Sequence, residues 1–228
     1  KVDILIESGL IINIEFNINN PKNFKEINLT NLHVSRGWFD SSVCFGEPGF
    51  ENRETIENGL KTASRSGFTS VALQPNTSPV INNRSQIEYI KHKCVNSVVE
   101  IYPIGALTSS GSNPKLTEMF DMKNGGAICF GNYKKSITNA NTLKLALQYT
   151  STFGGVVLSY PEDEILSNNG VVNENIMSTS LGLKGRPCLS EEVQVMRDLS
   201  ILEYSGGKLH IPTISTTKSV ELIRAAKA

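Results

Sequence analysis

The hydrophobic positions of this 228-residue chain alternate between two spacings, one typical of strands and one typical of helices. Short apolar runs rich in β-forming residues are each followed by turn residues and then by apolar positions three or four apart. The pattern predicts strands near 37–45, 68–73, 98–107, 127–130, 155–159 and 208–211. It predicts helices near 54–66, 84–94, 115–122, 141–150, 190–204 and 217–228, with a long loop over 161–188.

Strands that are apolar throughout and alternate with helices are typical of a parallel sheet covered on both faces. Two architectures fit this α/β pattern, a closed TIM barrel and an open doubly wound sheet. No G-x-G-x-x-G follows an early strand, which weakens a nucleotide-binding version of the open sheet. A barrel of this class has eight strand–helix units. Because the sequence ends in the sixth helix, we expect a truncated barrel that lacks its C-terminal units.

The first 36 residues show a shorter alternation that is typical of small antiparallel strands. It predicts a β-hairpin over 3–18 with its turn near Ser8-Gly9, and a further strand over 26–34. We therefore expect a small, partial β-sheet domain over 1–36 and a partial (β/α) barrel domain over 37–228. His33 is expected on the surface or on a sheet face of the first domain.

Composition excludes several partners. Lys+Arg and Asp+Glu are equal at 22 each, which gives no indication of nucleic acid or of an acidic membrane surface. No apolar run approaches the roughly 18 residues of a membrane span. Four cysteines lie far apart without a C-x-x-C, which predicts reduced and mostly buried thiols in a cytoplasmic protein. We also expect a homo-oligomer.

Small polar side chains mark the end of the first predicted barrel strand. In the stretch 37–49, GWFDSSVCFGEPG, the alternation places Asp40, Ser42 and Cys44 on one face. The carboxyl ends of barrel strands form the active-site face, so we expect these groups at the barrel mouth. No histidine in the same motif could activate Ser42 or Cys44, which argues against a serine or cysteine hydrolase.

This stretch resembles the first-strand motif of the dihydroorotases, G-F-(I/V)-D-x-H-V-H-L-R-E-P-G, in the cyclic amidohydrolase branch of the amidohydrolase superfamily. The frame of the motif matches without a gap at Gly37, Asp40, Val43, Glu47, Pro48 and Gly49. The two metal-binding histidines of the motif fall on Ser42 and Cys44. Its substrate-binding arginine falls on Gly46.

The resemblance continues along nearly the whole chain. The segment 47–80 is similar to the family's E-P-G to M-P-N-T-x-P stretch, where Asn76 matches an asparagine that contacts the substrate carboxylate. Closing a Pro-Asn turn is an equally good interpretation of Asn76. The family's F-(S/T)-D-D-G, H-(A/C)-E-D and H-x-S-T motifs read FGNYK, YPED and TIST here. Their metal ligands therefore fall on Asn132, Tyr160 and Thr213, and the family's catalytic aspartate would lie beyond Ala228.

The resemblance implies an amidohydrolase-type barrel with a small β domain. It also implies the reaction of pyrimidine biosynthesis that reversibly closes N-carbamoyl-L-aspartate to L-dihydroorotate on zinc. Zinc lowers the pKa of its bound water to about 7 and needs roughly three His, Cys or carboxylate ligands. The positions that should supply them all differ: Ser42, Cys44, Asn132, Tyr160 and Thr213. We therefore predict no catalytic residue, metal or other cofactor, and take Asn76 and Gly46 as candidate substrate-pocket positions.

Other polar residues are not expected to replace these ligands. His210 should have a structural role inside the sixth strand, and His92 should be solvated on a helix. Four acidic residues near the predicted mouth are expected to be loop or cap partners: Glu47, Glu51, Glu162 and Asp163.

Three functions stay open at this point. The first is a non-catalytic dihydroorotase homologue that acts as a scaffold or partner of aspartate transcarbamoylase, as the resemblance implies for chains without the metal ligands. The second is an active dihydroorotase, or a related cyclic amidohydrolase, with an atypical site. The third is a non-catalytic barrel that binds a pyrimidine precursor through Asn76.

Overall fold

The computed structural model describes residues 1–20, 22–111 and 114–228, and its contacts divide the chain into two units, Lys1–Arg36 and Gly37–Ala228. In the first unit, β1 (Asp3–Glu7) and β2 (Leu10–Glu15) pair antiparallel across a turn at Ser8 and Gly9, as predicted. The strand predicted over 26–34 is wrong. The described part of this unit offers it no pairing partner, and a strand without one is not stable. His33 is exposed in this segment.

The second unit is built on a parallel sheet whose strands follow the order of the chain. Its strands are β3 (Trp38–Val43), β4 (Phe68–Leu73), β5 (Glu100–Gly105), β6 (Cys129–Gly131), β7 (Val157–Leu158) and, after a small ribbon of β8 (Val172–Asn173) and β9 (Gly185–Arg186), β10 (Leu209–His210). Each of these six strands pairs with the one before it, from β3 at one edge to β10 at the other. A doubly wound sheet reverses its order, so the observed order is that of a partial α/β barrel.

Helices follow these strands as α1 (Ile56–Arg65), α2 (Arg84–Lys93), α3 (Met119–Asn124), α4 (Ala140–Ser151), α5 (Glu164–Ser167), α6 (Ile176–Ser180), α7 (Leu189–Ser205) and α8 (Thr217–Lys227). Side-chain oxygens of Thr55, Asn83, Asn139 and Thr216 accept hydrogen bonds from the first turns of α1, α2, α4 and α8. Among the described residues, no helix has the length and apolar character that a membrane crossing requires.

Two predicted elements differ from the structure for local reasons. The third helix begins at Met119 and not near 115, because Leu116 forms a β-bridge with Thr108 and the Thr117 hydroxyl donates to the Ala106 carbonyl. The segment 161–188 was expected to be a loop, but it contains α5, α6 and the ribbon of β8 and β9. These elements are two to five residues long, too short to give a periodic pattern.

All four cysteines are free thiols. Burial raises the pKa of Cys129 to about 12 and that of Cys94 to about 11, as expected for inert core thiols. The expectation of mostly buried thiols is wrong for Cys44 and Cys188, which are exposed. Both lie where the chain passes between elements, just after β3 and just before α7.

The core lies between the sheet and its helices. Phe130 of β6 is fully buried, and its ring meets that of Phe153 edge-on, with 6.2 Å between centroids. A Cβ on Gly105 would lie 3.1 Å from the Phe130 ring and 2.8 Å from the Met122 sulfur. The aromatic ring and the neighbouring glycine therefore fit each other at the centre of the sheet.

Glu47 joins the loop after β3 to the first two helices. Its carboxylate is 8% exposed and accepts hydrogen bonds from the Ile56 backbone N–H at 2.8 Å and the Tyr89 hydroxyl at 3.1 Å. The Lys93 ammonium lies 3.1 Å from the same carboxylate. Burial raises the pKa of Glu47, but the groups that bind the charged form outweigh it and hold that pKa below the usual 4.5.

Replacing Phe130 by alanine should lower the free energy of unfolding by about 3–5 kcal/mol, because a buried aromatic ring leaves a cavity that the sheet cannot close. Tyr204→Ala removes a side chain of α7 that is 79% exposed and should change stability by less than about 0.5 kcal/mol. Urea unfolding followed by circular dichroism measures both. Equal losses in the two variants would contradict the described core.

Replacing Glu47 by glutamine should destabilise the protein by about 2 kcal/mol at pH 7, because the bonds to a charged group are weakened. The pKa of Glu47 is lower in the folded state, so its contribution is complete above pH 4.5 and is lost as the pH falls further. The variant should therefore lose less stability than the parent between pH 5 and pH 3. Urea unfolding at several pH values tests this, with the exposed Glu203→Gln as control. Parallel pH curves for parent and Glu47→Gln would refute it.

Candidate functional site

The parallel sheet gathers the predicted metal-ligand positions along one edge. Ser42 is the penultimate residue of β3 and Cys44 follows that strand directly. Asn132 follows β6, Tyr160 lies two residues after β7, and Thr213 lies three residues after β10. Because the carboxyl ends of parallel strands share one side of a barrel, this edge is the barrel mouth. The structure therefore places these positions on the face where the sequence predicted them.

At the mouth of β3 and β4, Ser42 is bonded to a neighbouring side chain. The Gln74 amide Nε2 donates to the Ser42 hydroxyl oxygen at 3.1 Å. Gln74 follows β4 and is 3% exposed, and its backbone N–H donates to the Val43 carbonyl at 2.9 Å. The hydroxyl at the first metal-ligand position thus accepts a hydrogen bond from a residue that follows the adjacent strand.

A second hydrogen-bonded pair, Asn132 and Thr108, lies at the carboxyl ends of β5 and β6. The Asn132 Nδ2 donates to the Thr108 hydroxyl at 3.0 Å, and the Thr108 backbone N–H reaches the Asn132 Oδ1 at 3.4 Å. The amide is therefore held through both its nitrogen and its oxygen. The Asn132 side chain is thus oriented towards Thr108, and a neutral amide is in any case a poor zinc ligand.

Cys44 is the one good zinc-binding residue type among these positions, and its surroundings favour the thiol over the thiolate. Partial burial raises the pKa of Cys44, and this outweighs the lowering by the Tyr133 hydroxyl and the Lys134 ammonium. The Cys44 thiol and burial in turn raise the pKa of Tyr133 to about 12. Both groups are protonated at neutral pH, so neither is an activated nucleophile or a general base.

A cavity of about 540 Å³ lies beside Tyr160 and Thr213 and is lined also by Cys188 and Glu191. The Glu191 carboxylate is occupied by the N-terminus of α8, where it accepts from the backbone N–H groups of Ser215 and Thr216. The one carboxylate named in this lining is thus already bound to the backbone of an adjoining element. The cavity supplies space at the mouth, but no converging set of free ligands.

A buried ion pair supports the end of β7 from below the mouth. Asp198 of α7 is 1% exposed, accepts from the Ser159 hydroxyl at 2.6 Å and lies 2.8 Å from an Arg197 nitrogen. Burial raises the pKa of Asp198 although Ser159 and Arg197 act in the opposite direction. This network holds the residue next to Tyr160 in place. Sequence reasoning did not anticipate it, because β7 and α7 are far apart in the chain.

The two candidate substrate-pocket positions, Gly46 and Asn76, differ in whether the polar side chain of the family motif is present. Gly46 has φ +96°, and a Cβ there would lie 2.9 Å from the Phe50 carbonyl oxygen. The loop is therefore built for glycine and does not accommodate the arginine that the resemblance places at this position. Asn76 lies just beyond β4, and its buried Oδ1 has no hydrogen-bond partner within the described residues.

The remaining acidic groups have structural roles, as predicted. Asp163 caps α5 by accepting from two backbone N–H groups, and Glu162 pairs with Arg186 at 3.2 Å. Glu51 accepts from the Gly49 N–H at 2.9 Å. Partial burial lowers the pKa of His210, and its backbone carbonyl accepts a hydrogen bond from the Ser159 N–H at 3.0 Å. The structural role expected of its side chain stays a prediction.

The side chains present do not fit the zinc that the resemblance implies. Hydroxyls and amides are poor zinc ligands, two of them are bonded to neighbours, and the single thiol is protonated. Among the described residues, no three His, Cys, Asp or Glu side chains lie close enough to hold a metal ion.

Sequence reasoning missed Gln74 and Thr108, the hydrogen-bond partners of Ser42 and Asn132. Gln74 could have been noticed, because it is a polar residue at the end of the apolar run FTSVAL. Thr108 stands in a polar segment and carries no comparable signal. Tyr133 falls on the second aspartate position of the motif that reads FGNYK here, but was not predicted as a partner of Cys44.

Comparison with known proteins gives one consistent family. A family model described as dihydro-orotase-like matches residues 33–219. A dihydroorotase from Pelotomaculum thermopropionicum is 43% identical over 226 residues, which cover 99% of this chain and 53% of the relative. One from Citrifermentans bemidjiense is 37% identical over 229 residues, covering 100% of this chain and 54% of the relative. The chain thus spans about half the length of these curated relatives.

Solved structures support the fold. An L-hydantoinase from Arthrobacter aurescens superposes with a TM-score of 0.74 at 18% identity, covering 99% of this chain and 52% of that one. A dihydroorotase from Campylobacter jejuni gives a TM-score of 0.56 at 14% identity over 86% of this chain and 54% of that one. The family match over residues 33–219 and the 43% identity over nearly the whole chain show that the chain belongs to the dihydroorotase family.

Proposed function

We propose that this chain is part of a dihydroorotase-family protein that no longer catalyses the family reaction and acts as a scaffold in pyrimidine biosynthesis. The observation that carries the proposal is the pairing at the mouth, where Ser42 is bonded to Gln74 and Asn132 to Thr108. Metal ligands must converge on one point, whereas these side chains bind their neighbours.

The chemistry of the family reaction supports the same conclusion. Opening an unactivated cyclic amide requires a water that is nucleophilic at neutral pH and a group that polarises the carbonyl. Cys44 and Tyr133 both have raised pKa values, and so neither can take a proton from water near pH 7. Gly46 also leaves the substrate carboxylate without its guanidinium partner. Activation and substrate binding are lost together.

A second candidate function is catalysis by an atypical site. The names of the relatives favour it, since proteins 36–43% identical to this chain are called dihydroorotases. Their sequences are about twice as long as the part compared, so a fair assay uses the full-length protein.

The full-length protein should not interconvert dihydroorotate and N-carbamoyl-aspartate above the uncatalysed rate, with or without added zinc. Absorbance of dihydroorotate in the ultraviolet follows the reaction, and a catalytic dihydroorotase serves as the positive control. Turnover that a chelator abolishes and zinc restores would establish the second candidate in place of the first.

Aspartate transcarbamoylase is the partner we propose, because the family resemblance implies it for dihydroorotase-like chains without the metal ligands. Mixing the two proteins at micromolar concentration should shift both to an earlier elution volume in size-exclusion chromatography. The protein alone provides the reference and also reports whether it forms the homo-oligomer that we propose. Independent elution of the two proteins would contradict the scaffold role.

A further inference from the structure

The segment between β7 and α7, residues 161–188, carries its large apolar side chains on the outside. We call it the β7–α7 insert, and it contains α5, β8, α6 and β9. From residue 159 to residue 194, a stretch that the structure describes without a gap, no valine, leucine, isoleucine, methionine or aromatic side chain is buried. Five apolar residues of the insert are 63–88% exposed: Ile165, Val171, Ile176, Met177 and Leu181.

Hydrogen bonds and an ion pair order the insert in place of an apolar core. Asn175 and Ser178 form a reciprocal capping box at the start of α6, and Asp163 caps α5. Arg186 pairs with Glu162 at 3.2 Å. The local structure therefore does not require the apolar side chains, which stay in contact with water in the single chain. Exposed apolar residues concentrated in this way are typical of an interaction surface.

The ribbon of β8 and β9 carries opposite charges at its two ends. The strands run parallel, and Lys184 immediately precedes β9, where its carbonyl accepts from the Val171 N–H. Glu174 immediately follows β8, and its N–H donates to the Arg186 carbonyl. An ammonium therefore stands at the start of the ribbon and a carboxylate at its end. Both residues are exposed, and neither forms an ion pair within the described part of the chain.

This arrangement of charges fits a second copy of the same chain. A twofold interface requires a surface that complements itself. A twofold axis across the ribbon reverses its direction, so that Lys184 of each copy faces Glu174 of the other. The chain has 22 basic and 22 acidic residues, so two copies do not repel each other through their net charge. The insert also has the size of one side of a standard interface, roughly 20–30 residues.

We propose that the β7–α7 insert is the surface through which two copies of this protein associate. Ile176 and Met177 of α6 supply apolar contacts, and Lys184 and Glu174 form reciprocal ion pairs. The inference rests on the homo-oligomer in the proposed function and names its surface, but it does not depend on the loss of catalysis. Because the ribbon also lines the cavity beside Tyr160, the interface lies next to the barrel mouth.

Sedimentation velocity of the full-length protein tests the apolar part of the surface. Ile176→Asp should weaken association at least about tenfold, because the contact would have to bury a charge. Val98→Asp changes a valine outside the insert that is 81% exposed, and as the matched control it should leave the dissociation constant unchanged. Circular dichroism should show both variants folded, since both side chains are exposed. A parent that is monomeric at micromolar concentration, or an oligomer that Ile176→Asp does not weaken, would overturn the inference.

Reversing the charges tests the pairing of two copies. In two copies of one variant, Glu174→Lys or Lys184→Glu places like charges opposite each other, so each variant alone should associate at least about threefold more weakly than the parent. A mixture of the two variants should recover association, because every carboxylate again faces an ammonium. The double variant Glu174→Lys/Lys184→Glu should recover it for the same reason. A mixture that associates no more tightly than its components would contradict the reciprocal contact.

Other occupants of the insert give different results in these measurements. If aspartate transcarbamoylase covers it, Ile176→Asp abolishes co-elution with that enzyme and leaves the oligomer of the protein intact. If another part of the longer protein covers it, Ile176→Asp lowers the Tm and leaves the oligomer intact. Either result would overturn the inference. Turnover by the parent would refute the proposed loss of catalysis and leave the association measurements valid.

Discussion

Each strand of the large sheet after β3 bonds to the preceding strand of that sheet, and this parallel ladder decides where the polar side chains at the strand ends lie. From β3 to β10, the carboxyl ends share one edge, so residues separated by more than 160 positions along the chain reach the same mouth. The ladder depends on backbone groups, and it tolerates changes in the side chains at its ends. A barrel can therefore keep its shape while the chemistry of its mouth is replaced.

The two carboxylates that are buried in this barrel connect separate elements of the fold. Glu47 fastens the loop after β3 to two helices, and Asp198 supports the end of β7 from within the fold. At the mouth itself, the positions that match the family's metal ligands carry uncharged residue types, and Ser42 and Asn132 bind side chains that follow the adjacent strands. Polar groups that are removed from water need partners, and Ser42 and Asn132 have them in Gln74 and Thr108. The buried side-chain oxygens of Gln74 and Asn76, at the end of β4, have none within the described residues.

The strands and most helices could be predicted because their apolar spacing is dictated by burial against the sheet. Strand β4 has the predicted bounds, and the six strands pair in the parallel order that is typical of a barrel. The prediction of a strand over 26–34 was wrong because alternating apolar and polar residues indicate an amphipathic segment, and not that a pairing partner is present. The positions of the mouth residues could be inferred from strand ends, whereas their partners could not. Which side chain meets Ser42 depends on the register between β3 and β4, and sequence alone does not fix that register.

The central claim is that the mouth of this barrel has exchanged metal coordination for hydrogen bonds between side chains. Crystals of the full-length protein soaked in zinc, measured on both sides of the zinc absorption edge, test it directly. The account predicts no anomalous peak at the carboxyl ends of β3, β6, β7 and β10, and a Gln74 amide in contact with Ser42. A zinc peak within about 2.3 Å of the Cys44 sulfur, with a tetrahedral set of protein ligands, would contradict it.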